Sequence, residues 1–174
     1  MKIWIDILTP KQLLFSEPII ERLEEKHEIL CTSREYHEVS KLAKIRHFDL
    51  IFVGKHGGGD KKSKLKASIE RMEKLSKKIK RFEPDLVISF GSPEAARISF
   101  GLGIKHIMFC DSPHANAVMK LTLPLIQKLL IPYVIPKKEF SKYGIHEKNI
   151  VQYKAIDAAV TMKRKIREDL NSPF

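Results

Sequence analysis

A chain of 174 residues, 43% hydrophobic and 30% charged, is long enough for one globular domain with a real core. No run approaches the ~20 apolar residues of a membrane helix, and Cys31 and Cys110 lack the spacing of a zinc site or disulfide framework. The net charge of +11 favours an acidic partner, whether nucleic acid, anionic lipid or a phosphorylated substrate.

The amino end, "MKIWIDIL", is short for a signal peptide and carries Asp6 in its middle, so a cytoplasmic protein is expected. Apolar runs at 2–8, 28–32, 49–53, 85–90, 106–110, 129–135 and 149–153 are predicted strands. The first five are built from Ile, Leu, Val and Phe, as strands buried on both faces should be. Helices are predicted near 13–26, 35–46, 62–82, 93–101, 113–121 and 137–143, with a last one near 157–170. In the third, Leu65, Ile69, Met72, Leu75, Ile79 and Phe82 form one apolar stripe with lysines largely off it. From Lys55 to Arg81 there are eleven Lys or Arg against Asp60, Glu70 and Glu73, a local excess of +8 that a solvated helix face would also explain.

Strands and helices in alternation make a parallel sheet covered on both faces. The expected fold is α/β, a three-layer Rossmann-like domain whose mostly parallel sheet runs 3-2-1-4-5 with further strands outward. Residues 1–155 form this domain, and 156–174 form a C-terminal helix or the start of a linker.

Cap chemistry recurs where strands pass into helices. "GSPEAA" (91–96) and "DSPHAN" (111–116) each put Ser-Pro ahead of a predicted helix, Ser as N-cap and Pro at the first helical position. Thr9-Pro10-Lys11-Gln12 and Thr32-Ser33-Arg34-Glu35 read as capping boxes. All four fall on the carboxyl edge, where such sheets bind ligands at the reversal of strand order. That makes Thr9, Lys11, Ser92 and Ser112 candidate substrate-binding residues. Gly57, Gly58 and Gly59, in the loop "VGKHGGGD" (53–60), join them because glycines let backbone approach a ligand; a hinge would need the same residues.

Sharper motifs fail. The loop at 53–60 lacks the spacing of a phosphate-binding P-loop. The first junction has no glycine, which argues against a dinucleotide, and no cofactor or metal is expected. His-Gly-Gly-Gly has no accompanying GxSxG elbow. His56, Glu94, Asp111 and His114 remain as candidate catalytic residues at strand ends, a histidine titrating near neutral pH beside a carboxylate that fixes its tautomer. Asp111 and His114 lack a third metal ligand. His27, His37, His47, His106 and His146 read as surface or edge residues.

Together "KIWIDILTPKQLLF", "VGKHGG", "SPEAARISFGLGI", "DSPHANAVMKLTLPL" and "YKAIDAA" resemble the archaeal and bacterial family called domain of unknown function 354, over residues 1 to about 160. The resemblance implies the Rossmann-like first half of a fold shared by GT-B glycosyltransferases and UDP-N-acetylglucosamine 2-epimerases. Members of that family are longer, so it also implies a nucleotide-sugar-binding second half, in the same gene or on another chain. The expected function is the acceptor-side domain of a glycosyltransferase, inactive alone, with His56 as base, His114 second, and Asp111 or Glu94 orienting it. The basic helix at 61–81 is expected to hold an anionic or phosphorylated acceptor, or to touch a membrane surface peripherally. Half of an epimerase-like enzyme is one alternative. A nucleic-acid-binding module is another, weakened because 61–81 contains no Tyr or Trp for base stacking.

Overall fold

The computed structural model describes residues 1–156 and Ala159. The last predicted helix, near 157–170, lies outside the described residues but for Ala159. Among the described residues seven strands, β1 (Lys2–Asp6), β2 (Glu28–Glu35), β3 (Ile51–Lys55), β4 (Leu86–Phe90), β5 (Lys105–Phe109), β6 (Lys128–Pro132) and β7 (Ile150–Tyr153), alternate with six helices. These are α1 (Pro10–Glu24), α2 (His37–Ile45), α3 (Lys61–Phe82), α4 (Pro93–Gly101), α5 (Asn116–Thr122) and α6 (Lys138–Ser141). The sheet order is β3-β2-β1-β4-β5-β6-β7, and every pairing is parallel. The expected order is observed, with β6 and β7 as the outer strands.

Side chains alternate across a strand, so β1 feeds both layers. Ile3 and Ile5 pack with Leu13, Ile20, Val39 and Ala43 of α1 and α2. Trp4 faces the other way, with Leu75 and Ile79 of α3 and Ala95 and Ile98 of α4. Beyond it Met108, Met119, Leu129, Ile131 and Phe140 close the core under α5 and α6. Asp6, two residues after Trp4, therefore points to the α3 side.

Four expectations are corrected. Strand β2 runs through Glu35, so Thr32–Glu35 is not a capping box; Tyr36 precedes α2 and makes no side-chain cap. Thr32 is buried inside the sheet instead. The two Ser-Pro phrases also differ. Ser92 caps α4 through the Ala95 N–H at 3.1 Å, but Ser112 caps nothing, and α5 starts only at Asn116. In α3 the buried row is Arg71, Leu75 and Ile79, while Leu65 and Ile69 are 62% and 54% exposed. His106 is fully buried, not at the surface, with its two ring nitrogens against Ser89 Oγ at 2.8 Å and Ser99 Oγ at 2.9 Å.

Candidate functional site

The strand order reverses between β1 and β4, and the turns that leave these strands meet there. Thr9 caps α1, its hydroxyl accepting from the Gln12 N–H at 3.3 Å. Gln12 does not complete a box on Thr9. It accepts from the Leu8 N–H at 2.7 Å and donates to the Phe90 carbonyl at 2.8 Å, tying the end of β1 to the end of β4. Lys11 lies over the Phe90 ring, 4.9 Å from its centroid, and forms an ion pair with Asp111 beyond β5. Ser112 donates to the other Asp111 oxygen at 2.8 Å. The structure thus brings Lys11, Asp111 and Ser112 into one group beside the reversal.

Beneath this rim lies a buried ionic network centred on Asp6, which belongs to none of the motifs above. The Asp6 carboxylate accepts from Thr32 Oγ1 at 2.7 Å, Ser92 Oγ at 2.7 Å and both terminal nitrogens of Arg71, at 2.6 and 3.2 Å. Trp4 Nε1 donates to Thr32 at 2.7 Å, and Arg71 Nε to the Val53 carbonyl at 3.0 Å. Burial alone would raise the Asp6 pKa, but the adjacent Arg71 charge and the hydrogen bonds from Arg71, Ser92 and Thr32 outweigh it and hold it below the ordinary value. Glu94, 8% exposed, sits with its carboxylate 3.6 Å from Arg71. Ser92 therefore serves two masters, capping α4 and completing the Asp6 shell.

A second group occupies the ends of β2 and β3. The pairing of these strands shifts register between Ser33 and Glu35, so Ser33 faces Phe52 but Glu35 faces Lys55. Gly54 lies in that bulge at φ +73°, and a Cβ there would come within 2.9 Å of Arg71 Cβ. Past it the His56 N–H donates to the Glu35 carbonyl at 3.2 Å, and the His56 ring lies beside Tyr36 with centroids 5.2 Å apart. Gly57 is pressed against α3: an added Cβ would meet Lys64 Cα at 2.6 Å. Gly58 donates its N–H to His56 Nδ1 at 3.1 Å, while Gly58 and Gly59 have open space where a side chain would stand.

With the Gly58 N–H bonded to Nδ1, the proton of the neutral His56 ring lies on Nε2. Burial and the nearby Arg34 and Lys64 charges lower the His56 pKa, which favours that neutral ring. His56 thus offers an N–H donor to the rim. His114 is exposed in the turn before α5. Sequence reasoning missed Asp6, Arg71 and Arg34. The available signals were a carboxylate inside an apolar strand and an arginine four residues before Leu75 on one helical row.

Other surfaces lie away from the rim. Leu30, Lys74, Lys77, Lys78, Arg81 and Phe82 line an open basic groove of about 480 Å³. Among the described residues no group of three or more His, Cys, Asp or Glu is placed to hold a metal ion, and no helix is long and apolar enough to cross a membrane.

The family model described as "Protein of unknown function (DUF354)" matches residues 1–171. The chain belongs to that family. A relative within reach of sequence comparison, the uncharacterized protein MJ0665 of Methanocaldococcus jannaschii, is 32% identical over 145 residues, covering 83% of this chain and 42% of the relative. Among solved structures, the UDP-GlcNAc 2-epimerase of the same organism superposes with a TM-score of 0.70 at 19% identity, over 87% of this chain and 45% of that one. The spinosyn rhamnosyltransferase SpnG gives 0.60 at 12% identity, over 78% and 48%. At such identities the likeness is one of fold, and it shows the GT-B-like, Rossmann-like architecture of the DUF354 chain. The chain spans less than half the length of each of these proteins.

Proposed function

We propose that this chain is the acceptor-side half of a GT-B-like glycosyltransferase, completed by a second α/β half that binds a nucleotide sugar. What carries the reading is the gathering of polar groups at the strand-order reversal, where a parallel α/β sheet receives its ligand. Lys11, Asp111 and Ser112 stand on one side of it, Glu94 in the middle above the buried Ser92, and His56 with the Gly57–Gly59 loop on the other. Lys11 and the His56 Nε2–H suit oxygen acceptors. In transfer the acceptor hydroxyl gives up its proton as its oxygen bonds the sugar carbon and the nucleotide diphosphate departs with the electron pair. His56 takes that proton on Nε2 in the tautomer whose own proton has moved from Nε2 to Nδ1, which gives up the Gly58 bond, or Asp111 takes it directly. His114 is the reserve candidate. Thr9 shapes the first junction.

The exposed start of α3, with Lys61, Lys62, Lys64 and Lys66 around Leu65 and Ile69, suits peripheral contact with an anionic acceptor or membrane surface. Contact with nucleic acid remains the weaker reading, and a flat response of oligonucleotide binding to salt removes it.

The test supplies the second half and UDP-sugars, then compares wild type with His56→Ala and Asp111→Asn. Transfer that survives both substitutions unchanged refutes the assignment. Half of a UDP-sugar epimerase is the second reading, favoured by the closer backbone match to the epimerase, 0.70 against 0.60. Epimerised sugar without acceptor-dependent transfer would establish it.

A further inference from the structure

Arg34 is the next-to-last residue of β2, opposite the bulge that carries Gly54, and bulges re-aim side chains at functional edges. Its Nε is closed off from solvent and finds no hydrogen-bond partner among the described residues. A buried donor without an acceptor is costly, and more so on a charged group. The two carboxylates whose fields reach it are engaged elsewhere, Asp6 with Arg71, Thr32 and Ser92, Glu94 with Arg71. Arg71 repels it, and the charges of Arg34 and Lys64 both bear on His56. Half-buried and cationic, Arg34 thus has a neighbouring N–H donor in His56 and a second cation in Lys64, but among the described residues no anion hydrogen-bonded to its Nε.

We propose that Arg34 is the anchor of an oxyanion site at the ends of β2 and β3, taking a phosphate or diphosphate group with His56 Nε2–H and Lys64 as its other donors. A planar guanidinium matches two oxygens of a phosphate at once, and a turn of the half-buried Arg34 side chain toward the rim brings Nε, closed off as it stands, to the acceptor it lacks. The tight seat of Gly57 on Lys64 explains how the loop holds His56 beside that cation. The site rests on the rim being the substrate-facing edge, as proposed above, but not on glycosyl transfer. With the second half and UDP-sugars supplied, saturable anion binding without transfer upholds the site and removes the transferase; transfer unaffected by Arg34→Gln does the reverse.

The probe is sodium pyrophosphate titrated into the 174-residue chain, observed through the arginine Nε–H resonances. The Arg34 signal is expected to shift saturably. Arg34→Lys, which keeps charge but loses the fork, should weaken binding at least tenfold, and Arg34→Gln as much or more. The urea midpoint of Arg34→Gln should equal or exceed that of wild type, since Nε has no partner to lose and the burial of the charge outweighs the pull of Glu94 and Asp6. A double Lys78→Gln, Arg81→Gln variant in the groove under α3 should bind as wild type. An unmoved Arg34 resonance overturns the proposal. So does binding lost in the Lys78/Arg81 variant but retained in Arg34→Gln, or a lowered Arg34→Gln midpoint.

Discussion

Replacing Asp6 by Asn tests the network that holds the rim. The substitution keeps the shape of the side chain but removes the charge facing Arg71, whose own side chain is 1% exposed. Breaking a buried ion pair from one side costs about 3–5 kcal/mol, because it strands the other charge. Glu94, 3.6 Å from Arg71, remains to compensate in part, which places the expectation toward the lower end. For a domain of this length that corresponds to a fall in Tm of roughly 6–15 °C. The pH dependence supplies a second, independent reading. Asp6 is held below the ordinary value in the fold, so its contribution is complete above the unfolded carboxylate pKa of about 3.9 and is lost as pH falls through the depressed folded value. Urea unfolding of both proteins between pH 7 and pH 3 should show the gap begin to narrow below about pH 4, by roughly 1 kcal/mol at pH 3, the remainder being lost at lower pH. A variant within about 1 kcal/mol of wild type at pH 7, or a gap that stays constant down to pH 3, would refute the argument that this pair is structurally critical.

His106, pushed down to about 4 by burial, should make wild-type stability fall as pH drops below the unfolded value of about 6.5, by roughly 2–3 kcal/mol at pH 4.5. His106→Gln should flatten that slope in urea titrations, and an unchanged slope contradicts the assignment. Gly57→Ala forces the loop off the α3 backbone and should cost about 1–3 kcal/mol in urea unfolding. Lys11→Ala breaks a pair whose lysine is 48% exposed, so its effect on the urea midpoint should stay under ~1 kcal/mol. A larger loss would make Lys11 a structural residue instead of a substrate-facing one.

The architecture was legible because period and length suffice for it. Apolar pentapeptides such as "LVISF" separated by amphipathic stretches admit few arrangements, and parallel crossovers select among them. Local chemistry was harder to read, since one residue type serves several purposes. Thr32 looks like a helix cap, yet its hydroxyl is taken by Asp6 and Trp4 inside the sheet. Ser112 repeats the Ser92 phrase but lacks the helix immediately after it, so its hydroxyl turns to Asp111. Arg71 was hidden among lysines because charge counting treats every cation as solvated. Its row with Leu75 and Ile79 carries the contrary message, and only a buried carboxylate across the sheet gives that row a reason.

That carboxylate also explains why the rim can be polar and still stable. Asp6 collects β1, β2, α3 and the cap of α4 at one atom pair, so the junctions on either side of the reversal are fixed from below. Above it the polar side chains make their own local contacts: Lys11 and Asp111 pair near solvent, His56 leans on Tyr36, and Arg34 Nε finds no partner among the described residues. A fold that satisfied Arg34 internally would gain stability by losing an anion site. The cost is tolerable here because the neighbouring pair is so fully satisfied, which ties the Asp6→Asn and Arg34→Gln experiments together. The first should destabilise strongly, the second should not, and the opposite ranking would mean that the roles of anchor and ligand-facing cation have been assigned the wrong way round.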